Sequence, residues 1–95
     1  MAKAVFHGQV VAESDDIVEV ESNAYFPIDA LDKNFFKENT DVKTHCPWKG
    51  DASYFDVVVG DQTADYAAWY YPEPKEAAAE LKNRVAFWRG VKVEK

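Results

Sequence analysis

The stretch Ser53-Tyr54-Phe55-Asp56-Val57-Val58-Val59 is the strongest strand signal in the chain, because β-branched and aromatic residues dominate it. Gly60-Asp61 follows as a tight-turn dipeptide, and the apolar run Tyr66–Tyr71 then returns. We therefore predict that these two segments form the central hairpin of a mostly β fold.

The faces of this hairpin follow from the period of two in a strand. Alternation places Phe55 and Val57 together on one face of the first strand. On the second strand, Trp69 is expected to share a face with Ala67 and Tyr71. Small alanines beside a tryptophan would leave space over the sheet.

The N-terminal third predicts a second hairpin and one helical turn. Val5–Val11 and Ile17–Glu21 are rich in β-branched residues, and Ser14-Asp15-Asp16 between them favours a turn. Pro27 is suited to the first position of a helix, so Ile28–Leu31 is expected to form a single helical turn.

The C-terminal quarter predicts one short helix and two closing strands. Pro74 can open a helix that runs to Leu81, with Asn83 as a left-handed cap. Val85–Trp88 and Gly90–Glu94 have the composition of strands. The expected fold class is mostly β with a minor helical part, in a single compact domain over residues 1–95.

Composition narrows the classes of function. The 95 residues carry a net charge of −6, which disfavours binding to nucleic acid. The single Cys46 excludes an internal disulfide and favours a reducing cytoplasm, and no apolar run approaches the roughly 20 residues of a membrane helix. We expect a soluble cytoplasmic protein of undetermined oligomeric state.

The segment Thr44–Tyr54 holds the most unusual combination of side chains. It follows a short predicted strand, Phe35-Phe36, and a predicted polar loop, Glu38–Asp41. Within eleven residues it contains a thiol, an imidazole, an ammonium, an indole and a phenol. Pro47 and Gly50 are expected to interrupt regular structure there.

Four motifs together resemble the small bacterial family known as domain of unknown function 427. The motifs are Tyr25-Phe26-Pro27, the run Thr44-x-Cys46-Pro47-Trp48-Lys49-Gly50-x-Ala52-x-Tyr54, Ala68-Trp69-x-Tyr71 with Pro74, and Val85-Ala86-Phe87-Trp88. The resemblance implies a β-tent fold, similar to methionine-sulfoxide reductase B and to the cereblon ligand-binding domain, and it implies no established activity.

The family is sometimes described as nucleotidyltransferase-like, but the residues of this chain do not support that activity. Such enzymes resemble one another in a Gly-Ser element with two spaced metal-binding aspartates, and the chain has no Gly-Ser pair. Zinc is also unsupported, since only His7, His45 and Cys46 could supply nitrogen or sulfur ligands. We predict no metal and no cofactor.

Two residues are candidates for chemistry. Cys46 could act as a nucleophile activated by Lys49 three positions later, although a buried, unreactive thiol is the alternative. Lys49 beside Gly50 could hold a polar ligand group, or it could be a solvated turn residue.

Aromatic residues are more numerous than a small core requires, with three Trp, five Tyr and six Phe. Such rings can wall a pocket for a small flat or cationic ligand, and they can equally be core. The candidates for the wall are Tyr25, Trp48, Tyr54, Trp69 and Tyr71. Trp88 is assigned to core packing.

Three functions remain open at this point. The first is a small-molecule binding module with this aromatic pocket and Lys49 at its polar end. The second is an enzyme of unknown reaction that uses Cys46 or Lys49 in the same pocket. The third is a protein-interaction domain with exposed strand edges.

Overall fold

Nine antiparallel strands form two sheets in the computed structural model, which describes residues 1–95. The strands are β1 (Ala2–Phe6), β2 (Gln9–Ser14), β3 (Val18–Val20), β4 (Asn23–Pro27), β5 (Phe36–Cys46), β6 (Gly50–Val59), β7 (Gln62–Tyr70), β8 (Arg84–Phe87) and β9 (Lys92–Glu94). Three 3₁₀ helices span Ile28–Ala30, Lys33–Phe35 and Glu76–Leu81. None has the length that a bilayer-spanning helix requires. The predicted mostly β class is confirmed.

The main hydrophobic core lies between the two sheets. One sheet has three strands in the order β2-β1-β9, and the other has six in the order β3-β4-β8-β7-β6-β5. Ala4 and Val11 enter the core from the small sheet, and Phe26, Val57 and Val85 enter it from the large sheet. Burial of such side chains, at about 25 cal/mol per Å² of apolar surface, holds the sheets together.

A second apolar cluster covers the other face of the large sheet. Its members include Tyr25, Tyr54 and Tyr71, and the helix Glu76–Leu81 packs over it through Ala78 and Leu81. The segment is kinked at Ala78, whose φ and ψ are −123° and 26°, and it is the two residues Ala78 and Leu81 that are buried against the sheet.

The predicted central hairpin is confirmed as β6 and β7, with the turn at Gly60-Asp61. The expected facing of β6 also holds, because Phe55 and Val57 both pack in the main core. Ala67 belongs to the main core as well, whereas Trp69 and Tyr71 pack in the second cluster. The prediction that Ala67 shares a face with Trp69 and Tyr71 was therefore wrong.

An irregularity in β7 explains the position of Ala67. Phe55 pairs with Ala68 and Val57 pairs with Ala64, so β7 has two more residues than β6 in this interval. The extra backbone bulges at Tyr66, whose φ is +40°. The Asp56 carboxylate accepts hydrogen bonds from the Tyr66 amide and from the Asn39 side chain, each at 2.8 Å.

The predicted N-terminal hairpin was wrong. Val5–Val11 is interrupted by a turn at His7-Gly8, where both residues have positive φ, and this turn joins β1 to β2. Such two-residue turns match the twist of a hairpin. Ile17–Glu21 contains β3, but β3 pairs with β4 in the other sheet.

The polar segment Glu38–Asp41 is part of the long strand β5, so the predicted loop there was also wrong. β5 lies at the edge of the large sheet, where polar and charged side chains protect an exposed edge from further pairing. Of the predicted strand Phe35-Phe36, Phe35 ends a 3₁₀ helix and Phe36 begins β5.

The remaining local predictions fare better. The helical turn after Pro27 is present as Ile28–Ala30, and the helix expected to end at Leu81 is present as Glu76–Leu81. Asn83 has the predicted left-handed conformation, with a φ of +61°. Trp88, however, lies beyond β8 and is 44% exposed, so its assignment to the core was wrong.

Removing the Asp56 carboxylate should destabilise the fold. In Asp56→Ala the Tyr66 amide and the Asn39 side chain lose their shared acceptor, and we expect a loss of about 1 to 3 kcal/mol in the free energy of unfolding. Urea denaturation followed by tryptophan fluorescence measures the change.

Asp41→Ala is the matched control, because Asp41 is exposed and its side chain makes no hydrogen bond or ion pair. We expect its stability to stay within about 0.5 kcal/mol of the wild type. Equal stability of the two variants would show that Asp56 does not hold the bulge.

Candidate ligand-binding site

The turn Pro47–Lys49 between β5 and β6 positions Lys49. Gly50 follows it with a φ of +116°, and a Cβ there would lie 3.2 Å from the carbonyl oxygen of Glu73. Lys75 fastens the turn twice, since its amide donates to the Lys49 carbonyl at 2.9 Å and its ammonium donates to the Pro47 carbonyl at 2.7 Å. The turn is therefore fixed against the chain after β7.

Lys49 is a buried lysine and is only 8% exposed. Its ammonium forms an ion pair with Glu21, and it lies 5.3 Å from the ring centroid of Trp48 and 5.7 Å from that of Tyr71. Burial opposes the charged form, but the hydrogen bond to Glu21 and the nearby Tyr25 and Tyr71 outweigh it. The pKa of Lys49 is consequently raised above 10.5, and the amine stays protonated.

Four aromatic side chains and Lys49 surround a cavity of about 160 Å³ on the outer face of the large sheet. The aromatic residues are Tyr54, Trp69, Tyr71 and Trp88. Because Lys49 is buried and Trp88 is exposed, the cavity extends from a charged inner side to a solvent-accessible side.

Strand pairing explains why these rings meet. Trp69 on β7 is opposite Tyr54 on β6 and opposite Ala86 on β8. The small side chain of Ala86 leaves room between Trp69 and Tyr25, and the Trp69 indole N–H donates to the Tyr25 hydroxyl at 3.2 Å. Trp69 is therefore held in one orientation at the floor of the cavity.

The sequence identified four of the five lining residues, Lys49, Tyr54, Trp69 and Tyr71, and missed Trp88. The Trp88 ring packs edge-on against Trp69, with 5.7 Å between ring centroids. Its indole N–H donates to the Tyr66 carbonyl at 2.6 Å, which places it beside the β7 bulge. Since the bulge depends on tertiary pairing, no local sequence signal distinguished Trp88 from a core residue.

The other two candidate rings lie outside the cavity lining. Tyr25 is fully buried beneath it and acts as the hydrogen-bond partner of Trp69. Trp48 is 39% exposed on the turn, and its ring centroid lies 5.3 Å from the Lys49 ammonium.

Cys46 is a free, partly buried thiol that packs against the second apolar cluster. Its neighbour His45 is exposed and pairs with Asp51, with 2.7 Å between Nδ1 and the carboxylate oxygen. His7 lies in the β1–β2 turn, in the other sheet. Neither histidine is thus arranged as a base for the thiol, and Cys46 does not line the cavity.

Tyr71 is the lining residue with the most perturbed hydroxyl. Burial raises its pKa to about 12, and the neighbouring Tyr25 adds to the shift while the Lys49 ammonium opposes it. The hydroxyl is therefore neutral at physiological pH and can both donate and accept a hydrogen bond.

Comparison with known proteins identifies a family for the whole chain. The family model described as domain of unknown function (DUF427) matches residues 1–95. No curated protein matches the chain.

Gly50→Ala should destabilise the turn that carries Lys49. The variant combines a left-handed backbone with a Cβ 3.2 Å from a backbone oxygen, and we expect a loss of about 1 to 3 kcal/mol. Gly60→Ala is the control, because its φ is +59° and a Cβ would meet no atom within 4 Å. Thermal and urea unfolding of both variants should rank Gly50→Ala as the less stable, and the reverse order would contradict the close approach.

Alkaline pH should destabilise the protein partly through Tyr71. Its pKa is higher in the folded state than the ordinary 10.0, so its contribution is complete below pH 10.0 and is lost as the pH rises to about 12. Tyr71→Phe should remove up to about 2 kcal/mol of this pH dependence.

Urea unfolding across this pH range provides the measurement, with Tyr66→Phe as the matched control because Tyr66 does not line the cavity. We expect the control to retain the alkaline loss of stability. An identical pH dependence in wild type and Tyr71→Phe would contradict the burial of that hydroxyl.

Proposed function

We propose that this chain, which belongs to the DUF427 family of unknown function, is a small-molecule binding module. The proposed ligand has one flat ring and a hydrogen-bond-accepting group. The ring occupies the aromatic cavity, and the acceptor binds the Lys49 ammonium. A reducing cytoplasmic location, as a lone Cys46 favours, fits this proposal.

The observation that carries the proposal is the position of Lys49 in the cavity wall. The ammonium has three N–H donors, and Glu21 is its single hydrogen-bonding or ion-pairing partner in the chain. Glu21 satisfies the ammonium as a buried group, since no buried side-chain nitrogen or oxygen lacks a hydrogen-bond partner. A ligand acceptor would add a charge-assisted hydrogen bond to the N–H donors that Glu21 leaves free.

The volume of the cavity indicates the size of the group that fits against its aromatic walls. An engineered apolar cavity of about 150 Å³ in another protein binds benzene, and the cavity here measures about 160 Å³. Drug-sized ligands occupy larger sites, of about 300 Å³ or more. The dimensions support a single ring with a short substituent.

The same geometry gives less support to the enzyme alternative. An amine nucleophile must lose its proton, whereas the pKa of Lys49 is raised. Cys46 lies outside the cavity lining and has no histidine arranged as its base. Binding without a covalent step is therefore the function that we propose.

Titration of ¹⁵N-labelled protein with a library of single-ring fragments tests the proposal. The indole N–H signals of Trp69 and Trp88 should shift on binding, and the signal of Trp48 should move less because Trp48 does not line the cavity. Lys49→Met should weaken binding of fragments that carry an acceptor by about tenfold.

Lys92→Met is the control variant, because Lys92 is exposed on β9 in the other sheet. It should bind the same fragments as the wild type does. If no fragment shifts the Trp69 and Trp88 signals, or if all three indoles respond equally, the proposed site is wrong.

A further inference from the structure

Arg89 lies beside the cavity, next to the wall residue Trp88. Its guanidinium carbon is 4.2 Å from the ring centroid of Tyr66 and 5.8 Å from that of Trp88. Its Nε donates to the Asp65 carbonyl at 3.1 Å. Two rings and a carbonyl therefore hold this cation in place, although the residue is exposed.

The backbone around Arg89 also restricts it. Arg89 and Gly90 have φ values of +55° and +95°, and the Val91 amide donates to the Trp88 carbonyl at 3.2 Å. This tight turn keeps the guanidinium next to the bulge at Tyr66. A non-glycine residue with positive φ is conformationally unfavourable, and the turn hydrogen bond together with the side-chain contacts of Arg89 offsets this.

No carboxylate pairs with Arg89. Arg84, the other arginine, binds Asp16 at 2.9 Å, whereas Arg89 takes part in no ion pair. After the hydrogen bond from Nε, four guanidinium N–H groups remain available. Their planar arrangement matches the two oxygens of a carboxylate.

The two cations near the cavity differ in their charge balance. Glu21 neutralises Lys49 at the inner side, while the charge of Arg89 at the solvent side is uncompensated. An anionic group is therefore favoured at the Arg89 side and a neutral acceptor at the Lys49 side.

We propose that the ligand is a single-ring carboxylate whose ring lies against Trp69 and Trp88, whose carboxylate binds the Arg89 guanidinium and whose neutral ring substituent accepts from the Lys49 ammonium. The proposal rests on the proposed function and adds a ligand class and a specificity residue to it. Because Arg89 is exposed, this contact discriminates between ligands and weakens as salt increases.

Matched acid and amide pairs test this assignment. The probes are 4-hydroxybenzoate, 4-hydroxyphenylacetate and 3-(4-hydroxyphenyl)propionate with their three primary amides, which keep the ring and its hydroxyl acceptor and remove the charge. We expect at least one acid to bind about five- to tenfold more tightly than its amide at low salt. Affinities come from the shifts of the Trp69 and Trp88 indole signals.

Arg89→Gln should reduce this preference to about one, by weakening the acid and leaving the amide unchanged. A purely structural role of Arg89 would weaken both members of a pair alike. Arg89→Lys, which keeps the charge without the planar fork, should retain part of the preference. Lys92→Gln, on the other sheet, should bind both members as the wild type does.

Each other outcome rejects a defined part of the proposal. If the amides bind as tightly as the acids, or if the preference persists in Arg89→Gln and disappears in Lys49→Met, Arg89 does not read the carboxylate and the binding module stands. If none of the six probes shifts the two indole signals but a neutral fragment of the single-ring library does, the carboxylate ligand class is wrong and the binding module stands. If the whole library fails as well, both the ligand class and the proposed site are wrong.

Discussion

The candidate site depends on the hydrogen bonds that the Asp56 carboxylate accepts. One comes from the Tyr66 amide and one from the Asn39 side chain, and together they link three neighbouring strands where the ladder between β6 and β7 is interrupted. The bulge turns the Tyr66 carbonyl toward Trp88, whose indole N–H binds it. The Asp56 carboxylate on the central hairpin therefore determines the position of Trp88 in the cavity wall.

A second constraint is the burial of a charged amine. A lysine is rarely buried without a partner, because removing its charge from water is unfavourable. Here the partner is Glu21, from the turn between β3 and β4, and the rings of Trp48 and Tyr71 flank the ammonium. Segments far apart in the chain thus converge on one atom, and the contacts of Lys75 and Gly50 fix the turn that carries it.

The β7 bulge and the buried Lys49 ammonium together give the cavity two chemically different ends. Its inner side has a neutralised cation, its floor and walls are aromatic, and its solvent side adjoins an arginine without an acidic partner. Apolar rings supply non-directional affinity, while a few fixed donors determine orientation and specificity. The binding function proposed above uses this division of roles and includes no covalent step.

The sequence by itself determined the fold class, the central hairpin and the family. Alternation in Ser53–Val59 and the turn at Gly60-Asp61 are local signals, because a strand repeats every two residues and a tight turn needs specific dihedral angles. The lining residues Lys49 and Trp69 were also identified from their unusual local surroundings. Edges were harder to predict, since the polar composition of Glu38–Asp41 fits a loop and an edge strand equally well.

Tertiary structure alone decided the partners and the boundaries of the site. The pairing of Glu21 with Lys49, the exposure of Trp88 and the stacking of Arg89 on Tyr66 each join residues that are brought together by strand order. Strand order and register are set by packing over long sequence separations, so a short window of sequence does not specify them. For that reason the residues of the cavity were largely visible in the sequence, whereas its charge balance was not.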